Sequence, residues 1–179
     1  KYGVGLDNID IDSMERHGVL LGWTGGVNRR SVAELVLSCI IALLHKIPYV
    51  CNEVKKGKWY QAKGRQLTGK TVGIIGCGNI GKDLAMLLLP FECRILAYDI
   101  RNFPEFYKKY GVIPVSLEYL LTESDVVTLH IPFNNSTKNI LNAEKLNLMK
   151  EGAYLINAAR GGLVDEKILK EMLKKGRLS

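Results

Sequence analysis

"TVGIIGCGNIGKDLA", residues 71–85, decides the fold. The apolar run "TVGII" reads as a strand, and "NIGKDLAMLLL", residues 79–89, as an amphipathic helix stopped by Pro90. Between and within them stand Gly76, Gly78 and Gly81 in G-x-G-x-x-G spacing. Each glycine has its own physical task. Gly76 permits a tight turn, Gly78 removes a side chain where a pyrophosphate must approach, and Gly81 lets helix and strand pack closely. The amides at the helix start, near Asn79 and Ile80, then point at phosphates with the positive end of the helix dipole. The spacing alone is weak evidence; the strand–turn–helix context strengthens it.

Downstream the same alternation continues. "RILAYD" (94–99), "GVIPV" (111–115), "DVVTLHI" (125–131) and "AYLINA" (153–158) read as strands. Residues 116–124, 142–149 and 165–176 read as helices. The strands are short continuous apolar runs, the pattern of a parallel sheet covered on both faces. Repeated β–α–β units imply right-handed crossovers, and so an α/β fold with a doubly wound parallel (Rossmann) sheet. Asp99 closes the second strand about 20 residues past the glycines, where a carboxylate accepts hydrogen bonds from the adenosine ribose and repels a 2′-phosphate. NAD is therefore favoured over NADP, with Arg101 weakening the exclusion slightly. The bland alternative for Asp99 is a turn cap.

Upstream, Ile11–Arg16 reads as a short helix and Val19–Leu21 as a strand. A long helix is expected from Ser31 to His45, with Ser31 as N-cap, Glu34 completing a capping box and Pro48 limiting its far end. A polar connector follows, Lys55 to Lys70. Residues 1–27 are too few to fold alone and read as a remnant of a flanking domain. Residues 28–179 read as a dinucleotide-binding unit, incomplete at its C-terminal end.

Composition narrows the classes. The net charge of the 179 residues is +7, carried by dispersed lysines such as Lys55-Lys56, Lys108-Lys109 and Lys174-Lys175. Without an aromatic stripe or a helix-turn-helix signal, that charge reads as solvated surface rather than a nucleic-acid patch. No apolar run reaches the roughly 18 residues of a membrane span. Cys39, Cys51, Cys77 and Cys93 form no C-x-x-C pair and no metal-ligand spacing, which suits reduced thiols and a cytoplasmic setting. The first residue is Lys1, so a natural N-terminus is not expected there.

In open α/β sheets, ligands sit beyond the carboxyl ends of the strands. His130, Ile131, Pro132, Ala158, Ala159 and Arg160 all fall there. Ala158 and Ala159 leave room for a flat ring or a ribose. Arg160 can fork to a substrate carboxylate and stabilise negative charge on a neighbouring oxygen. Its alternative is an ion pair with Asp165 or Glu166. His130 is placed to line the cofactor site or to act as a general base.

These residues together resemble the D-isomer-specific 2-hydroxyacid dehydrogenase family. "YGVGLDNID", "SVAELVL", "LTGKTVGIIGCGNIG", "AYD", "SDVVTLHIP" and "MKEGAYLINAARGGLVDEKIL" carry the resemblance, in the family's order. It implies NAD-dependent interconversion of a D-2-hydroxy acid and its 2-oxo acid, with a 3-phosphoglycerate-like substrate favoured. It also implies a homodimer built through the nucleotide-binding domain. Arg160 matches the family's catalytic arginine. Thr24, Asn79, Ile80, Asp99, Ile131 and Ala158 match cofactor contacts. Gly3, Val4 and Gly5 match a substrate loop, and Asn28 a residue near nicotinamide and substrate, with Val32 close by. The family's catalytic histidine and glutamate match positions past Ser179, which implies a piece that binds NAD without turnover. Arg29 and Arg30 are unusual for the family and could meet a substrate phosphate, flanking surface charge being the default. A non-catalytic NAD-sensing scaffold, like the corepressors that share the fold, is the rival reading.

Overall fold

The computed structural model describes residues 4–6 and 8–179. Its centre is a five-stranded parallel sheet: β1 (Thr71–Ile75), β2 (Arg94–Tyr98), β3 (Ile113–Pro114), β4 (Val126–Leu129) and β5 (Tyr154–Asn157). The strand order is β3-β2-β1-β4-β5. The order reverses beside β1, so a crevice opens between the ends of β1 and β4. Register matters more than order. Ile75 pairs with both Tyr98 and Leu129, and Leu129 pairs with Asn157. Gly76, Asp99, His130 and Ala158 are the next residue of each chain, so one edge of the sheet presents all four.

Helices cover both faces because successive strand residues point opposite ways. On one face, α2 (Arg29–Leu44), α4 (Asn79–Leu88) and α5 (Pro104–Tyr110) pack Val36, Ile40, Leu84, Leu88 and Tyr107 onto Val72, Ile74, Ile95 and Val126. On the other, α6 (Leu117–Glu123), α7 (Ala143–Leu148) and α8 (Glu166–Lys174) pack Leu120, Leu121, Leu146 and Met172 onto Ile75, Leu96, Val127 and Leu129. Each such fully buried aliphatic side chain contributes about 1.5–3 kcal/mol. Among the described residues no single helix is long and apolar enough to cross a membrane.

Several boundaries differ from expectation. α1 (Ile11–Arg16) forms as read. Val19–Leu21 forms no strand; Leu20 is 94% exposed and no strand among the described residues pairs with it. α2 begins two residues before Ser31, with Asn28 rather than Ser31 at its N-cap and no side-chain capping bond, so the Ser31–Glu34 capping box does not form. Pro48 does not end α2. The chain turns at Lys46, whose φ is 55°, and Pro48 lies in the first turn of a further helix, α3 (Ile47–Lys55). A proline there costs nothing because the amide it lacks would be unbonded anyway. Pro104 starts α5 in the same way. Pro90 lies in a 3₁₀ turn, Leu89–Phe91, that continues α4.

Arg30 is held within the fold. Its Nη2 lies 3.0 Å from Oδ1 of Asp83, a nearly buried carboxylate on α4, and so ties α2 to α4. Arg30 is therefore committed to Asp83 rather than free for a substrate phosphate. Removing Arg30 leaves a carboxylate in the core without its charge partner. Arg30→Ala is expected to lower the free energy of unfolding by about 1–3 kcal/mol, the arginine's half exposure keeping the loss at that scale. Urea denaturation checks it; an unchanged midpoint would show the pair to be energetically idle.

Candidate functional site

The glycine turn is shaped by its neighbours. Gly76 has φ 98°, and a Cβ there would lie 2.7 Å from Ile131 Cγ2 and 2.8 Å from the His130 carbonyl. Its amide donates to Tyr98 O at 2.8 Å. A glycine here thus lets the turn pass between the ends of β2 and β4. At Gly81 a Cβ would overlap the Gly76 carbonyl oxygen, so α4 rests directly on the turn. Gly78 is different. Its missing side chain leaves open space, with Arg101 Nη2 the nearest atom, 3.6 Å from where a Cβ would stand. Gly78 is the N-cap of α4 and supplies no side-chain cap. The first amides of α4, at Asn79 and Ile80, therefore face that space with the helix dipole behind them.

Asp99 is a turn cap with acceptor capacity to spare. Its Oδ2 accepts from the Cys77 amide and its Oδ1 from the Arg101 amide, each at 2.8 Å. It caps the turns, yet a carboxylate has about four acceptor positions and these bonds use two. A cavity of about 430 Å³ opens beside it, lined by Ile100, Arg101, Tyr107, Pro114 and Ser116. Two titratable neighbours of Asp99 are uncharged. Burial pushes the Cys77 thiol up to about 11 and the Tyr107 phenol, which shares a hydrogen bond with it, up to about 12. Both stay neutral at physiological pH. An open cradle over Gly78, uncapped helix amides and an acceptor-rich carboxylate fit a dinucleotide's diphosphate and adenosine ribose.

At the other end of the crevice, His130 lies at the close of β4, its amide donating to Ile75 O at 2.7 Å. Nε2 is 3.1 Å from Thr128 Oγ1, while the buried Nδ1 has no partner among the described residues. Burial drives its pKa down to about 4. A neutral imidazole of that kind is a weak proton acceptor, which argues against the general-base reading of His130. Stability follows from the same shift. The unfolded histidine takes up a proton below about 6.5 while the folded one does not until about 4, so stability falls as pH falls through that window. His130→Gln is expected to flatten the melting temperature between pH 6.5 and pH 4, the span of the shift; an equally steep slope in the variant would refute this.

Ala158 packs toward α2 and Ala159 toward the opposite face. The turn that follows is braced by a residue the sequence reading overlooked. Asn157 Nδ2 donates to Arg160 O at 2.7 Å, and its Oδ1 accepts from the Ala159 amide at 3.1 Å. Arg160 Nη1 donates to Ala159 O at 2.8 Å. A cavity of about 580 Å³ borders this turn. Asp165 spends its Oδ1 on the amides of Lys167 and Ile168, capping α8. Pro132 is held from the loop side, its carbonyl accepting from Thr137 Oγ1 at 2.8 Å.

The residues before α2 close the crevice from above. Exposed Thr24 precedes Gly25 and Gly26, and Gly26, with φ 77°, packs on the Asn79 side chain at the first turn of α4. Asn28 Oδ1 is buried with no partner among the described residues. Gly3 lies outside the described residues; Val4 and Gly5 are half-buried, and Val4 O accepts from Trp23 Nε1 at 3.0 Å. Trp23 too was missed: its ring lies over Gly25 and ties the 4–6 loop to the crevice. A lone tryptophan among glycines was the available signal.

Comparison with known proteins agrees with this geometry. A family model described as "D-isomer specific 2-hydroxyacid dehydrogenase, NAD binding domain" matches residues 37–179. The hydroxypyruvate reductase of Thermotoga maritima is 40% identical over 180 residues, spanning 99% of this chain and 58% of that protein. The D-3-phosphoglycerate dehydrogenase of Archaeoglobus fulgidus is 38% identical, spanning 100% of this chain and 34% of its own length. The crystal structure of D-lactate dehydrogenase from Aquifex aeolicus, complexed with NAD and lactic acid, superposes with a TM-score of 0.87 at 36% identity, over 98% of this chain and 54% of that one. The chain thus spans between about a third and somewhat over half of these relatives.

Proposed function

The chain belongs to the D-isomer specific 2-hydroxyacid dehydrogenases and contains their NAD-binding domain, and from that premise we propose that its protein interconverts a D-2-hydroxy acid and the corresponding 2-oxo acid. NAD, when bound, supplies hydride exchange at the nicotinamide C4. The chain's own residues do the rest. The amides of Asn79 and Ile80 hold the diphosphate over Gly78, and Asp99 accepts from the adenosine ribose. Ile131, Pro132, Ala158 and Ala159 make an apolar slot beside His130. Arg160 grips the substrate carboxylate through paired N–H groups and stabilises negative charge on the reacting oxygen. His130 is neutral and only weakly basic, so the proton exchanged at that oxygen is assigned to a group other than this histidine.

One observation carries the proposal. The sheet register aligns the glycine turn, Asp99, His130 and Ala158 along a single edge, with Arg160 two residues beyond Ala158 in a turn pinned by Asn157. Residues 1–27 are assigned to the rim of a substrate domain and 28–179 to the cofactor unit, paired as a homodimer through the latter. For the acid itself, the D-3-phosphoglycerate dehydrogenase relative supports a phosphorylated substrate, although Arg30 is committed to Asp83. The test is NADH oxidation by the full-length protein against glyoxylate, pyruvate, hydroxypyruvate and 3-phosphohydroxypyruvate. Turnover of at least one is expected, with the phosphorylated acid preferred. NADH binding without turnover of any would replace this reading with a nucleotide-sensing scaffold.

A further inference from the structure

We propose that Arg101 is a cationic arm that takes a phosphate oxygen at the adenosine end of the bound nucleotide, an assignment that rests on the dinucleotide reading above. The residue stands between the two places where a phosphate can lie. Its Nη2 is 3.6 Å from the point where Gly78 would carry a Cβ, the space kept open for the diphosphate. Its Nε is 3.7 Å from Asp99 Oδ1, the carboxylate assigned to the ribose, where a 2′-phosphate would attach.

The guanidinium's ties are loose, an ion pair with Asp99 at 3.7 Å and a contact with the Phe103 ring. The side chain is 67% exposed, and 3.7 Å is too long for a hydrogen bond. Among the described residues the Arg101 guanidinium donates no hydrogen bond; the bond to Asp99 within hydrogen-bonding distance comes from its backbone amide. What holds the arm in place is an aromatic face, with the guanidinium carbon 5.3 Å from the Phe103 ring centroid. Lys82, in the first turn of α4, sits on the same ring at 3.5 Å. Two cations thus flank Phe103 beside the glycine turn, and Asp99 already has both oxygens on amides. The local field favours an arriving phosphate over the repulsion that a bare carboxylate would exert. An arginine offers a planar fork of donors suited to a phosphate, on a side chain exposed enough to swing.

The chemistry is shared by two sources, the diphosphate common to NADH and NADPH and the 2′-phosphate of NADPH alone. Dissociation constants for both nucleotides are measured calorimetrically on the full-length protein and on Arg101→Gln. Because the backbone amide still caps Asp99, the variant's melting temperature is expected to stay unchanged. If the arm meets the diphosphate, both nucleotides weaken by about tenfold, the scale of one charge-assisted hydrogen bond. If it meets the 2′-phosphate, NADPH alone weakens by that factor. Unchanged or tighter binding of both nucleotides to the variant overturns the proposal. Failure of the unaltered protein to bind either one would instead overturn the dinucleotide reading beneath it.

Discussion

Arg160→Gln in the full-length protein is expected to lower kcat/KM for the 2-oxo acid by about 10³-fold, the scale seen when one preorganised stabiliser of a developing oxyanion is removed. NADH affinity is expected to hold within about twofold, since the glycine-turn contacts are elsewhere. The backbone argues that the fold survives. Asn157 bonds the carbonyl of residue 160, not its side chain, so that brace of the turn stays in the variant. Arg160→Lys is expected to recover little, because an ammonium is a point charge and cannot form two parallel bonds to a carboxylate. Steady-state kinetics with a fluorescence titration of NADH separates the two effects. Full activity in either variant would remove Arg160 from the reacting centre.

The second large effect comes from comparing two glycines three residues apart. Gly81→Ala drives a Cβ into the Gly76 carbonyl oxygen and to 3.0 Å from Ile74 Cγ2, and neither backbone nor core can step aside cheaply. Its expected cost is about 3 kcal/mol or more in stability, at the upper end of overpacking. Gly78→Ala meets Arg101 Nη2 at 3.6 Å, an ordinary contact, and its φ of −79° suits any residue. The fold is expected to tolerate it within about 0.5 kcal/mol. The diphosphate is not, and NADH affinity is expected to fall by about 10–100-fold, as an unwelcome methyl in a packed contact costs. Thermal melts and NADH titrations on both variants check the pair. Equal behaviour of the two would mean that Gly78 does not face the nucleotide.

The parallel sheet and its site-bearing edge were legible because their signals are local and dense. "TVGII" before three spaced glycines, and Asp99 at the end of the next apolar run, leave few alternatives. What was not legible has identifiable causes. Pro48 carries a helix-stop signal in the sequence, whereas it and Pro104 each sit in the first turn of a short helix, where proline is welcome. α5 has seven residues, too few to show a helical period. Ser31 looks like a cap by pattern, but Asn28 is the N-cap of α2, and the turn before it packs Gly26 on Asn79, far away in sequence. Val19–Leu21 has the composition of a strand, but no neighbour among the described residues pairs with it. Asn157 was hidden for a similar reason, since a polar strand-end residue acquires meaning only when its amide is seen to brace Arg160. The low proton affinity of His130 is likewise a product of burial, which no motif encodes.

The most direct measurement is a crystal structure of the full-length protein with NAD and oxamate, an isostere of a small 2-oxo acid. The diphosphate is predicted over Gly78 against the amides of Asn79 and Ile80, with the oxamate carboxylate held by both terminal nitrogens of Arg160. A diphosphate lying away from that turn, or an oxamate out of reach of Arg160, would contradict the account.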